Sequence, residues 1–197
     1  MRLKILEVGR KEFLRCGFQK ASIRDIAKQA GVTTGSIYCY FSNKQAIFET
    51  LVKESADHII KAAREKVIEM DTMMRQDSSR YLTWVQDEPE GFLDYIYEHY
   101  DAFHLLFSCS EGTIYENLFD EIIDIETEST IIYANHLRNA GIINREIDEE
   151  LVHIVASAYY TGFIEPIIHG MSKEKAVKYI KTLAEFYSAG WKKIFGL

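Results

Sequence analysis

Apolar residues recur at intervals of three and four along nearly the whole chain, and only two prolines interrupt its 197 residues. That period is the helical one, and no stretch of useful length alternates in the way a half-buried strand does. Asn-Gly and Asp-Gly, the strongest short hairpin signals, are both missing. An all-α chain of about nine helices is expected. The pattern places them over residues 3–16, 22–29, 33–40, 44–73, 77–86, 89–108, 114–140, 147–170 and 172–195, with Gly17 ending the first and Gly141 the seventh.

The longest stretch without a charged side chain runs from Leu151 to Ile164, fourteen residues. A membrane-spanning helix needs about twenty, so this segment reads as a buried core helix. Through Arg15 the N-terminus mixes charged with apolar residues and has no apolar run of signal-peptide length. Three cysteines, Cys16, Cys39 and Cys109, cannot all pair, and none lies in a CxxC arrangement. They read as free thiols of a cytoplasmic protein, Cys39 as an inert small residue rather than a redox switch.

The most specific spacing lies between Ser22 and Tyr40. Ser22-Ile23-Arg24-Asp25 reads as a capping box, with the serine oxygen taking a free amide and the aspartate reaching back to the cap. Ala27 leaves room for a second helix to cross closely, and Gly31 suits a turn that needs positive φ. Ile26, Ala30, Val32 and Ile37 supply the buried side. This is a helix-turn-helix pattern, whose second helix would enter the major groove. Its first residues, Thr33, Thr34, Gly35 and Ser36, are small and polar, which suits contacts to phosphates and base edges.

A packed helical hairpin with no partner could show the same spacing, and charge separates the two readings. The chain carries a formal net charge of -7, which on its own counts against nucleic acid. Residues 1–53, however, hold ten Lys or Arg and four Asp or Glu, a net of +6; residues 54–197 hold thirteen and twenty-six, a net of -13. A basic head on an acidic body is the distribution expected when only the head meets phosphates.

Phe13 through Gly17, Ser22, Asp25-Ile26-Ala27, Ala30-Gly31-Val32, Gly35-Ser36-Ile37-Tyr38, Tyr40-Phe41 and Asn43-Lys44 together resemble the DNA-binding domain of the TetR/AcrR family of bacterial regulators. The resemblance covers about the first fifty residues. It implies a three-helix DNA-binding domain over 1–46 and a larger helical ligand-binding and dimerisation domain over 47–197. By that resemblance Arg24 reaches a base from the helix before the turn, and Thr34, Gly35, Ser36 and Tyr38 are recognition-helix residues. Phosphate roles fall on Ser22, Thr33, Tyr40 and Lys44, the last also favoured by its place at a helix N-terminus. The sequence departs from the family at two positions. Gly9 replaces an alanine, which should weaken the first helix by roughly 1 kcal/mol, and Cys39 stands where a larger residue is common.

In the acidic body, aromatic residues crowd between Tyr81 and Phe119, Trp84 among them. On the helix expected over 89–108, Phe92, Ile96, His99, Phe103 and Leu106 share one face, with Leu93, Tyr97, Tyr100 and Phe107 on the next. Such stripes are commonly plain core, but polar tips at this density need partners, and a ligand could supply some. The resemblance implies a small-molecule cavity in this region, for which Phe92, Ile96, His99, Tyr100, Phe103 and Phe107 are the candidate lining. Acidic residues from Glu116 to Glu128 read as the solvated face of an amphipathic helix. Glu150 and His153 form one Glu-x-x-His pair, where a di-iron bundle needs two such motifs and two further glutamates. No metal site and no cofactor are expected.

Apolar and small residues on the last two helices, among them Ala158, Gly162, Ile180, Leu183 and Tyr187, read as a dimer interface, against the alternative that both helices pack within one protomer. Helix-turn-helix proteins normally read two half-sites as a two-fold dimer, and the resemblance implies a four-helix bundle at the join. The sequence thus points to a cytoplasmic homodimeric regulator that binds double-stranded operator DNA and a small-molecule effector, reading as a repressor. A helical metal-dependent enzyme and a ligand-independent activator of the same fold are the alternatives.

Overall fold

The computed structural model describes residues 1–76 and 89–197. Nine helices lie among them: α1 (Arg2–Lys20), α2 (Ile23–Ala30), α3 (Thr34–Tyr38), α4 (Lys44–Gln76), α5 (Pro89–Glu98), α6 (Tyr100–Ser108), α7 (Leu118–Asn139), α8 (Glu149–Ile168) and α9 (Lys173–Phe195). The described residues contain no strand. The expected helix over 77–86, with Tyr81 and Trp84, lies outside them. The count matches expectation for another reason: the single helix expected over 89–108 is two. His99, at φ -112° and ψ 32°, leaves helical geometry between α5 and α6.

Contacts divide the chain into two compact units, Met1–Ile59 with His99–Phe119, and Ile60–Glu98 with Asp120–Leu197. The first is broader than a 1–46 head, since it takes in the start of α4 and all of α6. The change of unit between α5 and α6 falls at His99, where no glycine or proline marks it.

In the first unit, Ile5, Phe13, Ile26, Ile37, Ile47 and Phe48 are fully buried. Phe13, Phe18 and Phe48 pack ring against ring, with centroids 5.3–5.8 Å apart, and join α1 to α4. Gly9 faces the same seam. A Cβ there would lie 2.9 Å from Ile47 Cγ2, so this glycine is a close-packing position as well as a helix-weakening one. Gly17 interrupts α1 at φ 76° and ψ 164°, leaving only a short turn beyond it.

Glu12, 1% exposed, is the charged residue in this core. Arg15 holds it with two bonds, of 3.0 and 2.7 Å, and Gln29 Nε2 donates to it from α2 at 3.1 Å. The Arg15 bonds, followed by that from Gln29, hold its pKa below the usual glutamate range against the opposing effect of burial.

The helix expected over 114–140 begins four residues late, at Leu118. The reason is local hydroxyl chemistry: Ser110 donates to the Leu106 carbonyl at 2.7 Å, and Thr113 donates to the Ser110 carbonyl at 2.6 Å while accepting from Tyr115 N–H at 3.0 Å. These bonds offer the backbone turns in place of helix. Beyond them, the second unit packs Met70 and Met74 of α4 and Tyr133, Ala134 and Leu137 of α7 into one cluster with Ile143, which follows α7, and Phe195 of α9.

Candidate nucleic-acid interface

Two small residues set the angle between α2 and α3. Ala27 is buried, and Gly31 follows α2 in the left-handed conformation, at φ 66° and ψ 35°. A side chain there would be strained by the clash of its Cβ with the following carbonyl. Gly31 N–H donates to the Lys28 carbonyl at 3.2 Å, and Val32 N–H to the Ala27 carbonyl at 3.0 Å. Those two bonds close α2 and turn the chain into α3.

Caps start both helices. Ser22 Oγ accepts from Arg24 N–H at 3.2 Å, but Asp25 makes no return bond, so only the serine half of the expected capping box forms. Thr33 Oγ1 accepts from Ser36 N–H at 3.1 Å and lies 2.8 Å from Ser36 Oγ. α3 is anchored inward by Ile37, which is fully buried. Thr33, Thr34, Gly35, Tyr38, Cys39 and Tyr40 are exposed and Ser36 is half-buried, so the recognition-helix candidates share an open surface. Tyr38 and Tyr40 hold their large rings 56% and 48% exposed. Arg24 is exposed on α2.

Lys44 is placed differently from the expectation. Its ammonium donates to the carbonyls of Phe18 at 2.6 Å, Gln19 at 3.1 Å and Ala21 at 3.0 Å. An ammonium has three donors, and all three are engaged inside the fold. Burial holds its pKa below the ordinary lysine value. The ammonium is therefore a clamp on the end of α1, and what α4 offers an anion is the backbone at its N-terminus, where Asn43 Oδ1 already takes the Ala46 N–H.

The distribution of ion pairs shows which of the head's cations stay open. Lys11 pairs with Glu7, Arg15 with Glu12, Lys53 with Asp57, and Arg10 with Asp101. Arg2, Lys4, Lys20, Arg24 and Lys28 make no ion pair among the described residues. Lys4 Nζ lies 3.7 Å from the position a Gly31 Cβ would take, beside the turn itself. Arg2 lies over the Phe41 ring at 5.3 Å. Lys4 and Lys28 were not among the sequence candidates. Lys28 could have been found, because it follows Arg24 by one helical turn on the exposed side of α2.

The residues expected to line a ligand cavity are divided between the two units. Phe92 and Ile96 lie in the second, and His99, Tyr100, Phe103 and Phe107 in the first. The break at His99 also ends the continuous stripe on which they were grouped. Ile96 and Phe103 are fully buried, and His99 is exposed at the start of α6. Phe92 packs on Phe163 with centroids 5.8 Å apart, and Phe103 on Phe107 at the same distance.

The five expected interface residues also separate. Ile180 is 1% exposed, and a Cβ on Gly162 would lie 2.9 Å from Leu183 Cδ2, so these three pack α8 on α9 within one protomer. Tyr187 is half-buried against Tyr159, whereas Ala158 is exposed. The open apolar surface instead carries Leu151, Ile154 and Ala158 on α8 and Tyr179 and Phe186 on α9. This corrects the reading of 151–164 as a buried core helix, since one face of it is open. His153 pairs with Asp124 at 3.7 Å, and among the described residues no three potential metal ligands converge.

Comparison with known proteins agrees with this geometry. Residues 5–51 match the family model described as bacterial regulatory proteins, tetR family. The chain is 26% identical over 168 residues to the HTH-type transcriptional regulator TtgR of Pseudomonas putida, covering 83% of this chain and 78% of that protein. It is 24% identical over 176 residues to the HTH-type transcriptional repressor AcnR of Corynebacterium efficiens, covering 88% and 85%. Among solved structures, PfmR, a TetR family transcriptional regulator from Thermus thermophilus, superposes with a TM-score of 0.54 at 21% identity, over 92% of this chain and 97% of that one.

Proposed function

Because this chain belongs to the TetR family of bacterial regulatory proteins and is a helix-turn-helix transcriptional regulator rather than an enzyme, we propose that it is a homodimeric repressor released from its operator by a small molecule. The observation that carries the DNA half of this reading is the open surface of α3, with Tyr38 and Tyr40 exposed beside the unpaired cations Arg24, Lys28 and Lys4. Thr34, Gly35, Ser36 and Tyr38 read base edges in the major groove, and Arg24 reaches an edge from α2. Ser22, Thr33, Tyr40 and the backbone start of α4 at Lys44 hold phosphates. Residues 1–46 are the DNA-binding head and 47–197 the effector and dimerisation body.

Dimerisation uses the open faces of α8 and α9, with Ile154, Ala158, Tyr179 and Phe186 meeting their two-fold copies. The Gly162–Leu183 contact keeps the two helices locked as one surface. Two heads so joined address half-sites roughly 34–36 Å apart, or a multiple of that. An effector bound in the body releases DNA by favouring a head spacing that no longer fits, which requires it to bind the two states unequally. The protein works inside the cell, in the cytoplasm where its operator lies. The similar AcnR of Corynebacterium efficiens is named a transcriptional repressor.

Gel shifts with the DNA upstream of its own and neighbouring genes test the assignment. Wild-type protein should shift a defined fragment, and Arg24→Ala, Thr34→Ala and Tyr38→Ala should each weaken that shift. A shift unchanged in all three variants overturns the interface.

A further inference from the structure

Among the described residues, nothing packed inside the protein requires Gly35 to be a glycine. Its φ is not positive, and beyond its chain neighbours a Cβ built on it would meet only Thr33 Oγ1, at an ordinary 3.7 Å. Gly9 and Gly31 differ, the first closed in by Ile47 at 2.9 Å and the second held by its φ of 66°. Alanine at position 35 would fit the fold and favour helix. Gly35 is exposed, so the space its missing methyl leaves opens outward.

Ile37, fully buried, anchors α3 and fixes the way it faces. Gly35 precedes it by two residues, about 200° round the helix, and so lies on the crest opposite the anchor. Ser36 and Tyr38 lie to either side of that crest, Ser36 half-buried and Tyr38 exposed. A helix with its side chains is about 10–12 Å across, close to the width of the major groove. The residue at the crest therefore decides how near the helix comes to the groove floor. With a hydrogen in place of a methyl, the Cα itself can meet a base edge.

A Cα carries no strong hydrogen-bonding group. Set over N7, O6, O4 or an exocyclic amine, it would strip water from a polar group and leave that group unpaired, which costs free energy. One group in the major groove is apolar, the C5 methyl of thymine, and burying it against the glycine is favourable. We propose that Gly35 is a specificity-determining residue that receives a thymine methyl in each half-site, the missing side chain being the space the methyl fills. This rests on the reading of α3 as the helix in the major groove and adds the base that its crest selects.

Selection of bound duplexes from a random library by the full chain defines the half-site. Deoxyuracil, which is thymine without the methyl, then replaces each selected thymine in turn, with binding read by gel shift. At one position the uracil duplex should bind wild type about fourfold more weakly. Gly35→Ala should bind the thymine duplex at least about tenfold more weakly than wild type does, because two methyls then claim one space. At that same position the variant should prefer uracil to thymine, a reversal that a merely structural glycine would not produce. Its thermal midpoint should stand at or above that of wild type. A lower midpoint, binding unchanged by Gly35→Ala, or a loss that uracil relieves at no position overturns the proposal. A loss without relief leaves α3 in the groove and removes only the thymine. Binding unchanged in Gly35→Ala and also in Arg24→Ala, Thr34→Ala and Tyr38→Ala overturns the reading of α3 itself, so the two failures are distinct.

Discussion

Lys44 and Phe18 lie 26 residues apart in sequence, yet the Lys44 ammonium donates to the Phe18 carbonyl at 2.6 Å and sits 4.3 Å from the centre of its ring. The carbonyls of Gln19 and Ala21 complete the shell. Gly17 breaks α1 just upstream, so these carbonyls have lost their place in a continuing helix and are satisfied by a side chain from elsewhere. A lysine in the first turn of its own helix is opposed by the helix dipole. The carbonyl shell offsets that cost and fixes the start of α4 against the end of α1.

Lys44→Met keeps the apolar stem and removes the three donors. Urea unfolding should show a loss of about 1–3 kcal/mol, while the salt dependence of DNA binding keeps its slope. Lys28→Ala should do the reverse, reducing the slope by about 1 with stability within about 0.5 kcal/mol of wild type. A reduced slope and unchanged unfolding in Lys44→Met would return its ammonium to a phosphate.

Gly9→Ala sets two effects against each other. Alanine gains about 1 kcal/mol in helix propensity, but its methyl would stand 2.9 Å from Ile47 Cγ2, and overpacking of this kind costs about 1–3 kcal/mol. The net effect should be a loss of about 1 kcal/mol. In an Ile47→Ala background the contact is gone and the same change should become stabilising. A double-mutant cycle measures the coupling, and additivity of the two changes would show that Gly9 is not held by Ile47.

Glu12 links α1 to α2 through Gln29, and its pKa is depressed chiefly by the bonds from Arg15. A carboxyl with a lower pKa folded than unfolded contributes stability above the usual glutamate range and loses it as pH falls through the folded value. Unfolding at a series of pH values should therefore show a drop on the acid side that Glu12→Gln flattens. At neutral pH that variant should lose about 1–3 kcal/mol. An acid limb identical in both proteins would remove Glu12 from the account.

The helices and the turn at Gly31 were legible because they rest on local chemistry: period, caps and the need for positive φ. Residues that serve distant partners were not. Nothing near Lys44 in sequence announces three carbonyls more than twenty residues earlier, and nothing near Gly9 announces Ile47. Glu12 reads as a surface acid until Gln29 is brought to it. The break at His99 has no glycine or proline, so the aromatic stripe seemed continuous across it. Glu126, half-buried and accepting the Tyr160 hydroxyl at 3.1 Å, was legible in principle, since it lies one turn from both Ile122 and Thr130. The run of surface acids around it hid the one that faces inward.

The outer faces of α8 and α9 carry the last prediction. Ile154 and Phe186 are 64% and 71% exposed, on helices whose inner contacts are already made by Ile180 and the Gly162–Leu183 pair. If two copies meet there, burying each side chain contributes about 1.5–3 kcal/mol, and a charge in its place would be buried unpaired. Phe186→Asp and Ile154→Asp should therefore sediment as monomers and lose operator affinity, while their helical circular dichroism is retained. Leu183→Ala should behave differently, losing about 2 kcal/mol of stability because it removes packing within the protomer. Dimers that persist in Phe186→Asp at the concentrations where wild type is dimeric would place the two-fold contact on another surface.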